Sequence, residues 1–442
     1  MMRNSLYNMI CRLVCLKRRC EVNCEWLPLL RKSRAGVAAD QLHRLRQLLE
    51  HSKVHVPHYR DMLTGSPVDL SRLPVLTKDV IRTESDRMLS DTFSREALIE
   101  KSTGGSTGEP LVFYRHREYL HASQMGTFRN LSLCGWLPGD PVANFWGVND
   151  PRHFRKRALK EQFGMGFYTF NAFDAGPQVF GAWLRRLDTV RPVVLYGYAS
   201  TIWLFCKWLK DVHPQKSWKT RKGWDHRLKG VFLTAERLHG FQRELIEEVL
   251  GVPVFNLYGS TEIQNIAFEC THGNMHVATD FVVVEVDGPP GEAGDFLLTS
   301  LHNYAMPFIR YRNGDRGRLL GYVCDCGIEM PCISLDISRT CDNFRTRSGR
   351  VIHGEFFTHV MEGIQGVAKF QFRQTSLERV ELRVVRANHG SGGGVVDSSV
   401  ARVPGIVSGK TDGELQVEVM WVDDIPPTNR GKHLFTISEI ED

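Results

Sequence analysis

Short apolar clusters separated by Gly, Pro and Asp recur through the first two thirds of the chain, at 141–146, 192–198, 230–233 and 252–258. Apolar runs of this length bounded by breakers predict buried strands. Between them, 177–187, 199–210 and 241–250 carry apolar residues at helical spacing, so strands alternate with helices and the predicted fold class is α/β. After 282 the pattern shortens to runs at 282–286, 295–299 and 316–322, which predict a smaller β region closing that body. A boundary falls near 338–343. Beyond it, strand-like runs at 369–373, 379–385 and 414–421 predict a small α+β cap, and the Gly/Ser-rich stretch 389–404 reads as a long loop within it. The expected organisation is a large body over 1–337 and a cap over 338–442; no internal repeat is evident.

Composition narrows the class. The 442 residues suit two or three domains, and 42% hydrophobic content is enough for a sizeable core. The net charge of +6 resides in residues 1–34, where Arg3, Arg12, Lys17, Arg18, Arg19, Arg31, Lys32 and Arg34 face only Glu21 and Glu25. This basic start suits weak contact with anionic lipid or an acidic partner, or a partly ordered helical lead-in. Arg12 and Lys17-Arg18-Arg19 interrupt its apolar residues, so neither a signal peptide nor a transmembrane segment is expected. That predicts a cytoplasmic protein whose eleven cysteines are reduced. With no basic stripe interleaved with aromatics through the body, a nucleic-acid-binding protein is disfavoured.

Four segments carry candidate chemistry. Lys-Ser-Thr-Gly-Gly-Ser-Thr-Gly-Glu-Pro at 101–110 lies between two apolar stretches and reads as strand, loop, strand. Its glycines and hydroxyls can present N–H and O–H donors to a polyanion. Glu109 stands where a Walker A loop needs Lys, which disfavours a P-loop NTPase. Phe-Asn-Leu-Tyr-Gly-Ser-Thr-Glu-Ile at 255–263 sets Thr261 and Glu262 just after a buried strand, where a hydroxyl suits a phosphate and a carboxylate suits Mg²⁺. Tyr-Arg-Asn-Gly-Asp-Arg-Gly at 311–317 puts Asp315 in a predicted turn, able to accept both ribose hydroxyls. Pro426-Pro-Thr-Asn-Arg-Gly-Lys432 presents a Lys on a loop. Singly, these also read as a solvent-exposed turn, a helix cap, a turn Asp and a solvated Lys.

In this order the four motifs resemble the adenylate-forming superfamily of acyl-CoA synthetases, and within it the phenylacetate-CoA ligase branch with its capsule-biosynthesis, CapK-like relatives. The resemblance covers about residues 40–440 and includes the QLLEHSKVHVPHYRDML opening, RLPVLTKDVIR and LTAERL at 233–238. It implies an ATP-dependent carboxylate ligase that forms an acyl-adenylate and pyrophosphate, then passes the acyl group to coenzyme A. Ser102, Thr103, Gly104, Gly105, Ser106, Thr107 and Gly108 would take the phosphates, with Tyr258, Gly259 and Ser260 beside the nucleotide. Thr261 would meet the α-phosphate, Glu262 would hold Mg²⁺, and Asp315 and Arg339 the ribose. Lys432 would neutralise the acid's carboxylate and the α-phosphate together. Residues 338–342, Ser-Arg-Thr-Cys-Asp, resemble the Gly-Arg-x-Asp-Asp hinge of these enzymes, with Ser338 for the Gly and Cys341 for the first Asp. Residues 345–352 also lack the Arg-Gly-x-x-Ile pattern in register. The altered hinge keeps a second expectation open, in which the adenylate passes to an amine, a hydroxyl or a carrier protein.

Cys270, His276, Cys324 and Cys326 make up a Cys₃His ligand set suited to tetrahedral Zn²⁺, although 47 residues separate its two pairs. Some phenylacetate-CoA ligase relatives carry zinc in this arrangement, so the resemblance implies a structural ion; His272 and Cys332 are substitutes, and reduced buried thiols the other reading. Trp146, Tyr196, Tyr198, Ala235 and Phe255 stand at or near predicted strand ends and form a candidate slot for an aryl or other apolar acid, or part of the core. The expected partners are thus a small carboxylic acid, ATP and CoA, in a monomer or homodimer.

Overall fold

The computed structural model describes residues 16–18, 20–63, 69–103, 111–147, 166–175, 177–212, 227–236, 238, 240–337, 343–352, 354–361, 364, 367–386, 393–425 and 435–440. The predicted strands form at β3 (Val142–Trp146), β5 (Val194–Tyr198), β6 (Gly230–Thr234) and β7 (Val254–Tyr258), with β4 (Phe167–Asn171) at the edge. β3 to β7 are parallel. The helices Pro177–Val190, Ala199–Val212 and Gly240–Leu250 fall where the sequence predicts them. Their apolar faces and one face of the parallel strands make one core around Phe145, Phe170, Phe205 and Leu233, as parallel strands covered by helices require.

The smaller β region closes the body by extending its sheet. β8 (Ala267–Glu269), β9 (Met275–Val277), β10 (Val282–Asp287), β11 (Gly294–Ser300), β12 (Tyr311–Leu320) and β13 (Cys332–Ile337) continue the same sheet. It has eleven strands in the order β10-β11-β12-β13-β9-β8-β7-β6-β5-β3-β4 among the described residues. The sheet turns antiparallel at the β7/β8 pair, where a short connection replaces a helical crossover. A separate hairpin, β1 (Ile99–Thr103) with β2 (Leu111–Arg115), supplies the strands predicted on either side of 101–110, the first running on through Thr103.

The C-terminal strands β16 (Val367–Gln374), β17 (Arg379–Arg386), β18 (Gln416–Trp421) and β19 (Thr436–Ser438) form a sheet in the order β18-β17-β16-β19; the two-residue strands β14 (Phe344–Arg345) and β15 (Val351–Ile352) pair beside it. The loop expected over 389–404 is corrected: helices Gly393–Val400 and Val403–Lys410 occupy most of it. Val400, Val403 and Val407 supply a buried seam, and Pro404 sits in the first turn, where a missing N–H costs nothing. Their core also takes in Ala172, Phe173 and Tyr198 of the large sheet's region. Phe173 meets Phe356 edge-on at 5.9 Å, and Lys410 pairs with Asp174.

At the N-terminus, Val22, Trp26 and Leu30 are buried against Tyr119, Ala122 and Met125 of the helix Arg117–Leu131. Packing thus takes up these three apolar residues, while Leu16 remains exposed. Among the described residues no helix is long and apolar enough to cross a membrane.

Candidate active site and metal centre

Thr261 and Glu262 follow β7 directly. The turn is closed by Ser260 and Ile263, which exchange a backbone bond of 2.8 Å and an Ile263 N–H to Ser260 Oγ bond of 3.0 Å. Thr261 is exposed while Glu262 is 3% exposed, its Oε1 accepting from the Tyr311 hydroxyl at 2.8 Å. The fold therefore offers a hydroxyl to solvent beside a carboxylate already held in place. At Gly259 a Cβ would lie 3.3 Å from the Asn265 backbone nitrogen, a tight contact.

Asp315 does not sit in a turn, as the sequence suggests, but within β12. Gly314 adopts φ 91°, and the register against β11 slips between Asp295 and Leu297, so the Asn-Gly-Asp signal produces a bulge. Its Oδ2 accepts from Tyr258 Oη at 2.8 Å and Asn313 Nδ2 at 2.6 Å. Tyr258 thereby links β7 to Asp315, while Tyr311 links β12 back to Glu262. Two tyrosines tie the two acidic motifs into one buried unit.

The hairpin joins this unit through Arg115, at the end of β2. This guanidinium is 1% exposed. Its Nη2 donates to the Thr261 carbonyl and, at 3.3 Å, to the Glu262 carbonyl. His116 then caps the helix Arg117–Leu131, its Nδ1 accepting from the Tyr119 N–H at 3.0 Å; burial holds this imidazole below its usual pKa, in keeping with an acceptor nitrogen. One face of that helix grips the following loop. Tyr119 Oη accepts from the Gln264 N–H at 3.2 Å, Ser123 Oγ donates to Gln264 Oε1, and Asn265 Nδ2 donates to the Ser123 carbonyl at 2.8 Å. These contacts hold Asn265 at φ 53°. Gly126 clears the way, since a Cβ there would meet Asn265 at 3.1 Å. Sequence reasoning missed Arg115 and this helix face, whose partners lie more than 130 residues away; Arg115 directly after the phosphate-loop strand was the available signal.

Of the candidate acyl slot, Trp146, Tyr196 and Tyr198 come together. Trp146 lies parallel to Tyr196 at 6.1 Å and tilted against Tyr198 at 4.7 Å. Gly197 between the tyrosines has φ 151°, and a Cβ there would stand 2.2 Å from the Phe145 carbonyl oxygen. Asn144, beside Tyr196 in the sheet register, buries an amide oxygen with no hydrogen-bond partner. Ala235 is exposed at a strand end with φ 69°, a strained conformation for a residue with a Cβ. Phe255 does not join the slot: it is 2% exposed and stacks on Phe232 at 4.7 Å, a core residue. Glu236, in the 233–238 segment, accepts from Ser200 N and Oγ at 2.7 and 2.9 Å and so caps the helix Ala199–Val212.

Ser102 and the backbone of Thr103 lie in β1. Gly104, Gly105, Ser106, Thr107, Gly108, Arg339, Lys432 and the hinge at 338–342 lie outside the described residues.

Cys270, His276, Cys324 and Cys326 converge: one ligand atom from each lies within 4.8 Å of all the others. Cys270 and Cys324 sulfurs are 3.7 Å apart, and Cys326 Sγ is 3.3 Å from His276 Nε2. A tetrahedral centre with bonds of about 2.1–2.3 Å separates its ligands by roughly 3.5–3.8 Å, so the set fits Zn²⁺. His276 Nδ1 faces the Met330 carbonyl at 2.9 Å and must donate there, which leaves Nε2 free for a metal. Backbone N–H groups of His272 and Ile328 point at Cys270 and Cys326 sulfurs, and Gly273 and Gly327 turn at φ 77° and 83°. Burial pushes the Cys326 thiol up to about 12, so a thiolate there needs a bound cation. Cys332, 3.8 Å from His276, lies just outside the set.

No family model matches the sequence. Among curated relatives, Protein CapK of Staphylococcus aureus is 22% identical over 433 residues, covering 91% of this chain and 89% of that protein. Phenylacetate-coenzyme A ligase of Thermus thermophilus is 25% identical over 379 residues, covering 79% and 82%. Among solved structures, 2-hydroxyisobutyryl-CoA ligase in complex with 2-HIB-AMP and CoA superposes with a TM-score of 0.60 at 19% identity, covering 93% of this chain and 92% of that one. Its open conformation gives 0.55. The chain shares the fold of 2-hydroxyisobutyryl-CoA ligase.

Proposed function

We infer that the chain is an adenylate-forming acid–CoA ligase, which activates a carboxylic acid with ATP and transfers the acyl group to coenzyme A. The observation that carries this reading is the buried unit in which Tyr258, Glu262, Tyr311 and Asp315 join two motifs through pairs 49 and 57 residues apart, with the phosphate-loop hairpin fastened to it by Arg115. The relation to CapK and phenylacetate-coenzyme A ligase over most of the chain supports it.

The reaction brings two anions together and builds charge on phosphate oxygens, so preorganised donors and cations do most of the work. In our reading the exposed Thr261 hydroxyl donates to the α-phosphate. Glu262 holds Mg²⁺, which supplies charge neutralisation when bound. Asp315, oriented by Tyr258 and Asn313, accepts from the ribose hydroxyls, and Arg339 donates to the ribose oxygens. The 102–108 loop takes the leaving phosphates, and Lys432 bridges the carboxylate and the α-phosphate. Trp146, Tyr196 and Tyr198 form an aromatic wall for the acid. Residues 338–342 serve as the hinge between a body over 1–337 and a cap over 338–442. The Cys₃His set would hold a structural Zn²⁺, and the protein works in the cytoplasm; eight described cysteines, all free thiols, are in keeping with that compartment.

Transfer to an amine, hydroxyl or carrier protein remains the second reading, favoured by Ser338 and Cys341 in the hinge. The test is pyrophosphate release with ATP, Mg²⁺ and a panel of aryl, fatty and hydroxy acids, with and without coenzyme A. Multiple turnover that depends on coenzyme A supports the ligase; release that stops at about one equivalent per chain, with or without coenzyme A, supports the second reading.

A further inference from the structure

We propose that Arg115 is a positioning residue for adenylation, setting Thr261 and Glu262 through their main-chain carbonyls and keeping a buried positive charge beneath the anion site. The inference rests on the function proposed above.

Arg115 is 1% exposed, with the Phe113 ring 5.0 Å and the Tyr119 ring 4.8 Å from its guanidinium carbon. It forms no ion pair with a carboxylate among the described residues, and its Nε is buried without a hydrogen-bond partner. Burial lowers its pKa, opposed by Tyr119 and the Glu262 carboxylate. A buried guanidinium without an anion is expensive, and bonds to two carbonyls do not need a full charge. The compensating anions are those the site gathers: Glu262 itself and the phosphate that meets Thr261.

Geometry explains the placement. β2 carries the C-terminal end of the phosphate loop into Arg115, and the helix beginning at Arg117 clamps Gln264 and Asn265. Arg115 therefore stands where the two phosphate-binding motifs join. With Thr261 and Glu262 gripped from one side at their carbonyls, and Glu262 from the other by Tyr311, the backbone of both and the Glu262 side chain are fixed before the nucleotide arrives. Lys at 115 keeps the charge but loses the planar fork; Met keeps the bulk and loses both.

The experiment compares wild type, R115K and R115M in ATP–pyrophosphate exchange, using an acid that supports release. For each, kcat, the KM for ATP, the Mg²⁺ concentration giving half-maximal rate and the melting temperature are recorded. R115K is expected to lower kcat about 30-fold or more, raise the Mg²⁺ requirement several-fold, and leave the KM for ATP within about threefold. R115M should lose more activity. A purely structural role would lower the melting temperature while kcat and Mg²⁺ demand in R115K stay at wild-type values, and that outcome overturns the proposal. Should R115M fail to fold, R115K alone decides. Wild-type exchange with a normal R115K removes this inference and spares the function; no wild-type exchange with any acid removes both.

Discussion

At the scale of single residues, the account rests on side chains whose geometry is fixed by neighbours distant in sequence. Glu262→Gln keeps the bond from Tyr311 but loses the charge, and should cut pyrophosphate release by about 100-fold or more, read as kcat at saturating ATP. Asp315→Asn removes the charged acceptor, and should raise the KM for ATP about tenfold, in line with roughly 1.5–3 kcal/mol for a hydrogen bond to a charged group. His302 gives a test independent of ligands. Burial lowers its pKa to about 4; its Nε2 donates to the Asp280 carbonyl at 2.9 Å, and Phe281 packs 4.7 Å away. The fold therefore holds this imidazole neutral, while the unfolded chain protonates below its ordinary value near 6.5. Stability is full above that value and falls as pH drops towards 4, by on the order of 3 kcal/mol for this group. Urea melts at pH 7 and pH 5 should show a loss that His302→Phe reduces; equal pH dependence in both proteins would refute it. Thr261 and Glu262 were legible in the sequence because a hydroxyl and a carboxylate after an apolar run stand out. Arg115 was not, because a basic residue in a strand declares its burial only once its partners are known.

At the scale of elements, local signals were legible wherever one segment determines its own structure. The parallel strands and their helices follow from apolar runs and helical spacing. The elements that misled were those whose local chemistry has two outcomes: Asn313-Gly314-Asp315 makes a bulge in β12 instead of a turn, and the Gly/Ser-rich 389–404 stretch becomes helical because its valines find a core. The two Cys-bearing turns at 270–273 and 324–327 did not mislead: neither is a site by itself, yet the sheet joins them into the ligand set the sequence suggests. Removing their metal should cost stability more than chemistry. Cys324→Ser, or prolonged chelation, is expected to lower the melting temperature by about 5–10 °C and to release zinc at one equivalent per chain. Pyrophosphate release by the remaining folded protein should persist. Purified protein without zinc, equally stable with and without chelator, would contradict this.

At the scale of the whole molecule, the large sheet has a division of labour. Its parallel half presents the aromatic wall of Trp146, Tyr196 and Tyr198, its antiparallel half carries Asp315, and Thr261 and Glu262 leave from β7 where the halves meet. The sequence suggested a smaller β region closing the body after 282, because alternation changes there; how it joins the parallel strands across β7, β8 and β9 depends on pairings no local pattern contains. The C-terminal core reaches over this wall through Phe173 and Tyr198, so a cap rotating between half-reactions would uncover part of it. The measurement that tests the central claim most directly is pyrophosphate release from ATP and Mg²⁺ across the acid panel, with and without coenzyme A, with Lys432→Ala beside the wild type. The account predicts release that requires a particular acid, falls at least about 100-fold in Lys432→Ala while ATP still binds, and turns over fastest with coenzyme A. Wild-type protein that binds no ATP, or releases pyrophosphate equally well without Lys432, would contradict it.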